Sequence, residues 1–282
     1  MNNINHFSLT TTMIPVLLML LAALYPRSVC CFVIQPSTQR NNNIVSKRAV
    51  ISPSGNIPTS TKEASNELLS ILIQKANNPK EGDARNEQIN ALVDTLIKSK
   101  SSFNPSTCID GPLFASIHFI GDTPLWEKIG SGAVRNVKGQ KINLNDNTFS
   151  NYAEIFGDNL CLIATGELSD VGPVQSAVDD NNPFNSFSSL FASKQSSNLP
   201  TPYDYEAKVT GASISFLEKY SLNLSIEGTG IVRVLYADEN LRIFVSPTDT
   251  NVTKGAEGWE SEGLIVVQVR VGLVYDDWVD KL

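Results

Sequence analysis

The sequence predicts a mainly β protein, an antiparallel barrel or sandwich that follows a pair of amphipathic helices. Two observations support this fold class. From Pro105 onward, about nine or ten short segments alternate apolar and polar residues, and half-buried strands require this period of two. The turns between the segments are short and carry no helical pattern, which favours antiparallel pairing over strands linked by crossover helices.

The N-terminal region differs from the rest of the chain in its charge. No Asp or Glu precedes Glu63, whereas the whole chain of 282 residues contains 29 acidic and 22 basic side chains. Because four of the basic residues lie within residues 1–61, residues 62–282 carry a net charge of roughly −11. Such an acidic body is poorly suited to nucleic acid, so we expect no nucleic-acid partner.

Residues 1–31 have the features of a signal peptide. Met13–Leu24 is an apolar run of about twelve residues, interrupted by Pro15, and is too short to span a bilayer. Residues 32–61 are rich in Ser, Thr, Asn and basic residues and show no periodicity. That composition is typical of a transit peptide.

Together the two segments resemble the bipartite presequences of diatom and related algal plastid proteins, in which a Phe follows the signal peptide. The residues that carry this resemblance are Cys30-Cys31-Phe32-Val33, with Pro36 close behind. The resemblance implies localisation to the plastid (chloroplast). The alternative is ordinary secretion with a propeptide.

The predicted folded domain, residues 62–282, begins with a helical hairpin at residues 62–101. Ser60 and Glu63 have the spacing of a capping box at the start of the first helix, and Asp83 is expected to cap the second. Each helix has an apolar stripe that must be buried against another element. The stripes are Leu68, Leu69, Leu72, Ile73 and Ala76 in the first helix, and Ile89, Leu92, Val93, Leu96 and Ile97 in the second.

The predicted barrel or sandwich occupies residues 109–275. Its last strand has the most regular pattern, with Val267, Val269, Val271 and Leu273 on one face. The predicted strands are Leu113–Ile120, Gly132–Val137, Lys141–Leu144, Asn151–Phe156, Leu160–Leu168, Tyr205–Phe216, Tyr220–Ile226, the two strands of the hairpin Gly228–Pro247, and Leu264–Val274.

A long insertion at residues 170–202 interrupts the strand pattern, since it exceeds an ordinary hairpin connection. It contains four large apolar residues, Phe184, Phe187, Leu190 and Phe191. We favour a variable and mostly disordered insertion whose Phe side chains fold onto the barrel. The alternative is a lid, or a loop whose Phe side chains enter a membrane.

The sequence contains no recognisable catalytic or metal-binding motif. Cys108 and Cys161 each lie in or beside an apolar strand pattern and are predicted to be buried thiols, with a disulfide between them as the alternative. His118, the only histidine outside the presequence, is predicted to be a sheet residue with a hydrogen-bonded ring. We therefore predict no enzyme, no catalytic residue, no metal and no cofactor.

The hairpin Gly228–Pro247 contains an acidic turn that is followed by a basic residue. Arg242 lies four positions after Asp238. We favour a bidentate bond between these two side chains, which would stabilise the hairpin. The alternative places Arg242 at the barrel mouth, where it binds an anionic head group.

Two short motifs identify a family that the chain resembles. Asp110-Gly111 leads into the first strand, and Tyr236–Ile243 spans the late hairpin. They resemble the Leu-Asp-Gly-x-Trp-like and Tyr-Leu-Asp-Glu-x-Leu-Arg-Ile motifs of the plastid lipid-associated proteins, also called fibrillins or plastoglobulins. The chain departs from the family at Ala237, where Leu is usual, and at Leu113-Phe114, where Trp is expected. The matching candidate site residues, with structural or ligand-mouth roles, are Asp110, Gly111, Tyr236, Asp238, Glu239, Leu241, Arg242 and Ile243.

The resemblance implies a lipocalin-like antiparallel β-barrel that binds or coats a hydrophobic small molecule, namely an isoprenoid, carotenoid, quinone or acyl lipid. It also implies association with plastoglobules or thylakoids, and a role in their structure and in photoprotection. A barrel of this size can hold one apolar ligand.

Three alternatives remain. One is a lipocalin-like isomerase, cyclase or pigment lyase that uses Arg242, Asp238 or His118. Another is a secreted lipocalin-like binder, and the third is an assembly factor whose N-terminal helices bind a protein partner.

Overall fold

The computed structural model describes residues 60–121, 137–154, 160–174, 198–216, 220–247 and 263–275. The predicted signal and transit-like segments lie outside these residues, apart from Ser60 and Thr61. The predicted strand before Val137 and the four apolar residues of the insertion also lie outside them. Among the described residues, no helix is both long enough and apolar enough to cross a membrane.

Helices precede the sheet, as the sequence predicts. They are α1 (Thr61–Asn77), α2 (Pro79–Asp83), α3 (Asn86–Lys98) and α4 (Pro105–Cys108). The predicted capping box is confirmed: the Ser60 hydroxyl accepts from the Glu63 N–H at 3.2 Å, and the Glu63 carboxylate accepts from the Ser60 N–H at 3.1 Å.

The prediction that Asp83 caps the second long helix is wrong. Asp83 is the last residue of α2, and its carboxylate lies 3.0 Å from the Lys75 ammonium. Pro79 occupies the first position of α2, where its fixed φ angle favours an extra helical turn. Helix α3 therefore begins only at Asn86.

Nine strands form one antiparallel sheet in the described part of the chain. They are β1 (Phe114–Ile120), β2 (Lys138–Asn143), β3 (Thr148–Glu154), β4 (Leu160–Pro173), β5 (Tyr203–Phe216), β6 (Tyr220–Leu224), β7 (Gly228–Ala237), β8 (Leu241–Pro247) and β9 (Gly263–Arg270).

The sheet curves into a ring. Its strand order is β4-β3-β2-β1-β9-β8-β7-β5-β6, and β4 also pairs with β5, from Leu160 opposite Phe216 to Pro173 opposite Tyr203. Pairing thus runs through eight strands and returns to its start, while β6 pairs with the end of β5 that extends past β7. The predicted mainly β, antiparallel fold is confirmed, and its shape is barrel-like.

The ring has a separate hydrophobic core on each face. On the outer face, α1 and α3 pack their apolar stripes against β1, β7, β8 and β9. Most residues of the two predicted stripes are buried there, and four are partly buried: Leu69, Ile73, Ala76 and Ile97. The outer core includes Leu68, Leu72, Leu92, Leu96, Ile243, Val245, Val267 and Val269. The inner core includes Phe149, Ala164, Tyr205, Ala207, Val232, Val234, Phe244 and Val266. Strands β8 and β9 are consequently buried on both faces.

The prediction that the last strand continues to Val274 is wrong. Strand β9 ends at Arg270, and Val271–Leu273 form a 3₁₀ turn. The N–H groups of Val274 and Tyr275 both bond to the Val271 carbonyl, which closes the turn. Leu273 therefore lies on the surface instead of beside Val267.

The long insertion begins later than the sequence predicts. Strand β4 continues to Pro173 because its partner β5 extends equally far, with Asp170 opposite Tyr205. At the other end of the insertion, Leu199 forms an isolated bridge with Phe103, and this bridge ties the segment to the chain before α4.

Candidate binding site inside the ring

Asp238 joins the hairpin of β7 and β8 to the outer helices. Its Oδ1 accepts from the backbone N–H groups of Asn240 and Leu241, both at 2.8 Å, and so holds the turn. Its Oδ2 accepts from the hydroxyls of Ser65 on α1, at 2.5 Å, and Tyr236, at 2.8 Å. All four contacts are made without Arg242, so the predicted bond between Asp238 and Arg242 is wrong.

Arg242 lies on the opposite, inner face of the ring. Its Nε donates to the Cys108 carbonyl at 2.8 Å, and its Nη2 donates to the Ile109 carbonyl at 2.6 Å. The guanidinium carbon is 3.6 Å from the centre of the Phe114 ring, a cation–π contact. Arg242 therefore holds α4 and the segment after it against the ring.

The charge of Arg242 is buried among neutral groups. The side chain is 2% exposed, and its bonded partners are backbone carbonyls and an aromatic ring. Burial lowers the pKa of Arg242 to about 9, while nearby Cys108 and Tyr205 act in the opposite direction. The guanidinium is therefore still a cation at neutral pH, in a place where an unneutralised charge is costly.

Two polar atoms beside this charge have no hydrogen-bond partner among the described residues: Arg242 Nη1 and Gln268 Oε1. Gln268 is 1% exposed and lies directly opposite Arg242 in the pairing of β8 with β9. Its Nε2 donates to the Ser116 hydroxyl at 3.1 Å. One donor and one acceptor thus lie side by side, both buried and both unsatisfied.

The inner face around this pair is partly polar and partly apolar. Gln140 and Asn151 are buried and lie opposite each other on β2 and β3, facing the same side as Phe114. Two residues along β8 and β9, Phe244 and Val266 continue the inner face as an apolar surface. The ring interior therefore suits an amphiphilic molecule better than a uniformly apolar one.

A second buried arginine, Arg233, differs from Arg242 because its charge is neutralised by a carboxylate. Arg233 on β7 faces outward and donates to Asp204 on β5, from Nε to Oδ1 at 2.7 Å and from Nη2 to Oδ2 at 2.9 Å. This bidentate pair neutralises its charge locally. Arg242 is just as buried but has no carboxylate partner within the described residues.

The early motif has a local structural role. The Asp110 carboxylate accepts from the Leu144 N–H at 2.7 Å, and the Gly111 N–H donates to the Ile142 carbonyl at 2.8 Å. Gly111 has a φ of 86°, a conformation that side chains with a Cβ rarely adopt. These contacts connect the start of β1 to the turn between β2 and β3.

The remaining motif residues do not enter the ring. Leu241 and Ile243 belong to the outer core under the helices, together with Tyr236. Burial is the largest cause that raises the pKa of the Tyr236 hydroxyl above its usual range. Glu239 is exposed in the turn. Of the eight candidate site residues, only Arg242 lies on the inner face.

His118 joins both long helices to β1, and its ring is hydrogen-bonded as the sequence predicts. Its Nδ1 lies 3.0 Å from the Lys75 ammonium on α1, and its Nε2 lies 2.9 Å from the Asn90 side-chain oxygen on α3. A neutral ring satisfies both contacts, since Nδ1 accepts and Nε2–H donates. Burial first, and then the Lys75 charge, lower the pKa of His118 to about 4.

The two cysteines of the domain form no disulfide in the described residues. Cys108 is buried under Arg242, and Cys161 is half-buried, with its sulfur 3.1 Å from the Tyr152 hydroxyl. The prediction of free thiols is confirmed for both residues, whereas the prediction that they are buried is confirmed only for Cys108. No group of three metal-ligating side chains occurs in the part of the chain that the structure describes.

A pocket of about 380 Å³ opens on the surface beside the early motif. Gly111, Lys141 and Arg270 are among the residues that line it. It contains neither Arg242 nor Gln268, so it is separate from the unsatisfied pair inside the ring.

Sequence reasoning missed Gln268 and the contact between Arg242 and Phe114. A signal for Gln268 exists, because one amide side chain interrupts an otherwise apolar β9. No sequence pattern indicates the contact between Arg242 and Phe114, since the two residues belong to strands that are far apart in the chain, β8 and β1.

No family model matches the chain, and no curated protein matches it. The resemblance to the plastid lipid-associated proteins therefore depends on the two motifs alone.

Proposed function

We propose that this protein is a plastid lipid-associated protein of the fibrillin type. It binds one hydrophobic small molecule inside a lipocalin-like barrel and catalyses no reaction. The candidate ligands are an isoprenoid, a carotenoid, a quinone or an acyl lipid. The observation that carries this proposal is the closed ring of pairing, whose inner face is largely apolar yet holds the unsatisfied Arg242 and Gln268 side chains.

The size of the ring supports this proposal. Rings of about eight strands are wide enough either to be filled by side chains or to hold one small ligand. Small residues at Ala164, Ala207 and Ala237 occupy inner positions on three different strands, which favours the second case.

The positions of the candidate catalytic groups favour binding over the enzyme alternative. His118 and Asp238 are engaged on the outer face, whereas Arg242 lies on the inner face. These three groups share no site in the described structure, so none can assist another in proton transfer.

Ligand titration tests the proposal. The full chain is purified and stripped of lipid, then titrated calorimetrically with a quinone, a carotenoid, an isoprenoid alcohol and a fatty acid. We expect saturable one-to-one binding of at least one class, and lipids of that class in extracts of the untreated protein. Protein that binds none of the four contradicts the proposed function.

Localisation is tested separately, because the presequence lies outside the described residues. A C-terminal fluorescent fusion expressed in a diatom and imaged against chlorophyll should mark the plastid, with puncta or thylakoid staining. A fusion lacking residues 1–31 is the control and should stay in the cytosol. Secretion of the full-length fusion would contradict the plastid assignment and favour the secreted binder.

A further inference from the structure

Two buried side chains inside the ring, Arg242 and Gln268, each have one polar atom without a hydrogen-bond partner among the described residues, and such atoms suit the polar end of a ligand. We propose that Arg242 and Gln268 form a head-group subsite that binds the carboxylate of a long-chain fatty acid. This inference rests on the proposed function, because it selects one ligand class among those the ring could hold.

The charge of Arg242 is the first step of the argument. Arg233 shows how this fold neutralises a buried guanidinium, with a carboxylate held by two hydrogen bonds. Two nitrogen atoms of Arg242, Nε and Nη2, donate to carbonyl groups, which carry no charge. Its third nitrogen, Nη1, has no hydrogen-bond partner among the described residues. An anionic oxygen at Nη1 would supply both the hydrogen bond and the neutralising charge.

Gln268 supplies the second hydrogen bond. A half-turn of its amide exchanges Oε1 and Nε2, so that Oε1 accepts from the Ser116 hydroxyl and Nε2 faces the ligand. The pair then offers two donors to the two oxygens of a carboxylate. A phosphate head group is less suitable, because it would bring a further oxygen, and often a second charge, without a matching donor in this pair.

The path of the acyl chain follows from the period of the strands. Side chains two residues apart lie on the same face, so Phe244 follows Arg242 on β8, and Val266 lies next to Gln268 on β9. Both belong to the inner core, which continues into Tyr205 and Val232. A chain attached to the carboxylate would therefore contact apolar side chains from its first carbons onward.

A series of ligands with one tail tests the head-group subsite. Oleic acid, oleyl alcohol, methyl oleate and oleyl phosphate are titrated against the delipidated full chain at pH 7.5. We expect oleic acid to bind at least about tenfold more tightly than the alcohol or the ester, as expected for a hydrogen bond to a charged group. With ¹³C-labelled oleic acid, the carboxyl resonance should titrate at lower pH in the complex than in phospholipid vesicles.

Paired variants locate the effect. Arg242 also anchors α4, so Gln268→Leu is the informative substitution, and Gln88→Leu, the same change at an exposed amide of α3 outside the ring, is its control. Gln268→Leu should weaken oleic acid binding about tenfold and leave the ester unchanged, whereas Gln88→Leu should change neither.

Each contrary result has a distinct meaning. Equal affinity for acid, alcohol and ester overturns the carboxylate subsite but leaves the proposed function intact. Tighter binding of oleyl phosphate, or equal loss of acid and ester binding in Gln268→Leu, also overturns the subsite. Failure of all four ligands overturns it, and failure of the quinone, carotenoid and isoprenoid as well overturns the proposed function.

Discussion

Asp238 and Arg242 lie four positions apart and act on opposite faces of the sheet. Asp238 accepts four hydrogen bonds at the turn and on the outer side, where it meets Ser65 of α1. Arg242 is the second residue of β8 and faces inward, opposite Gln268. A motif that reads as one unit in the sequence therefore serves two separate sites.

His118 predicts a pH dependence of stability at the residue scale. The groups that face its ring are Lys75, Asn90 and, farther away, Asp83. The pKa is lowered from 6.5 to about 4 in the folded protein, so the unfolded chain takes up the proton first. Stability from the neutral ring is present above pH 6.5 and is lost as the pH falls towards 4.

Between pH 7 and pH 5, this group should reduce the free energy of unfolding by about 2 kcal/mol. Urea unfolding of the wild type and of His118→Gln measures the difference, since a Gln amide can keep both hydrogen bonds without titrating. A decrease of equal size in the two proteins would show that His118 is not the source.

At the scale of elements, the helical pair covers one side of the ring and is held there by polar contacts as well as by its stripes. Ser65 connects α1 to the hairpin through Asp238, and the His118 cluster connects α1 and α3 to β1. Because the apolar faces of both helices are used in this packing, a protein partner would have to bind their polar faces.

Ser65→Ala should destabilise the fold by about 1–2 kcal/mol, because Asp238 loses one charge-assisted hydrogen bond and keeps the other three. Ser70→Ala is the control, since Ser70 lies on the same helix and is exposed. It should change stability by less than about 0.5 kcal/mol. Chemical denaturation compares the variants, and equal effects would show that the contact with Asp238 contributes little.

At the scale of the whole molecule, closure of the ring creates an inside and an outside from strands that look alike. Ala207 and Lys208 are neighbours on β5, yet Ala207 belongs to the inner core and Lys208 is exposed. The same substitution at these two neighbouring positions therefore tests whether the ligand binds inside the ring or on its outer surface.

Ala207→Phe should fill space inside the ring and weaken binding of the best ligand by about tenfold or more, with about 1–3 kcal/mol lost from overpacking. Lys208→Phe adds the same ring outside and should leave affinity unchanged. Calorimetric titration, with circular dichroism to verify folding, makes the comparison. Unchanged affinity in Ala207→Phe would place the ligand elsewhere.

Local signals in the sequence determined the elements of this protein. The capping box placed the start of α1, and period-two alternation placed most strands to within a few residues. These features depend on neighbours in the chain, so the sequence contains them directly. The sequence also predicts a hydrogen-bonded ring for His118, but the partners of that ring, Lys75 and Asn90, lie on other elements and are identified only by the tertiary structure.

Only the tertiary structure decided which face of each strand is inside the ring. Alternation shows which residues share a face, but β8 and β9 are buried on both sides, so apolar content does not distinguish them. The partners of Arg242, Cys108 and Ile109, lie more than a hundred positions away. The packing of α4 and the segment after it against the inner face brings them together, and the guanidinium beside Gln268 has no carboxylate partner among the described residues.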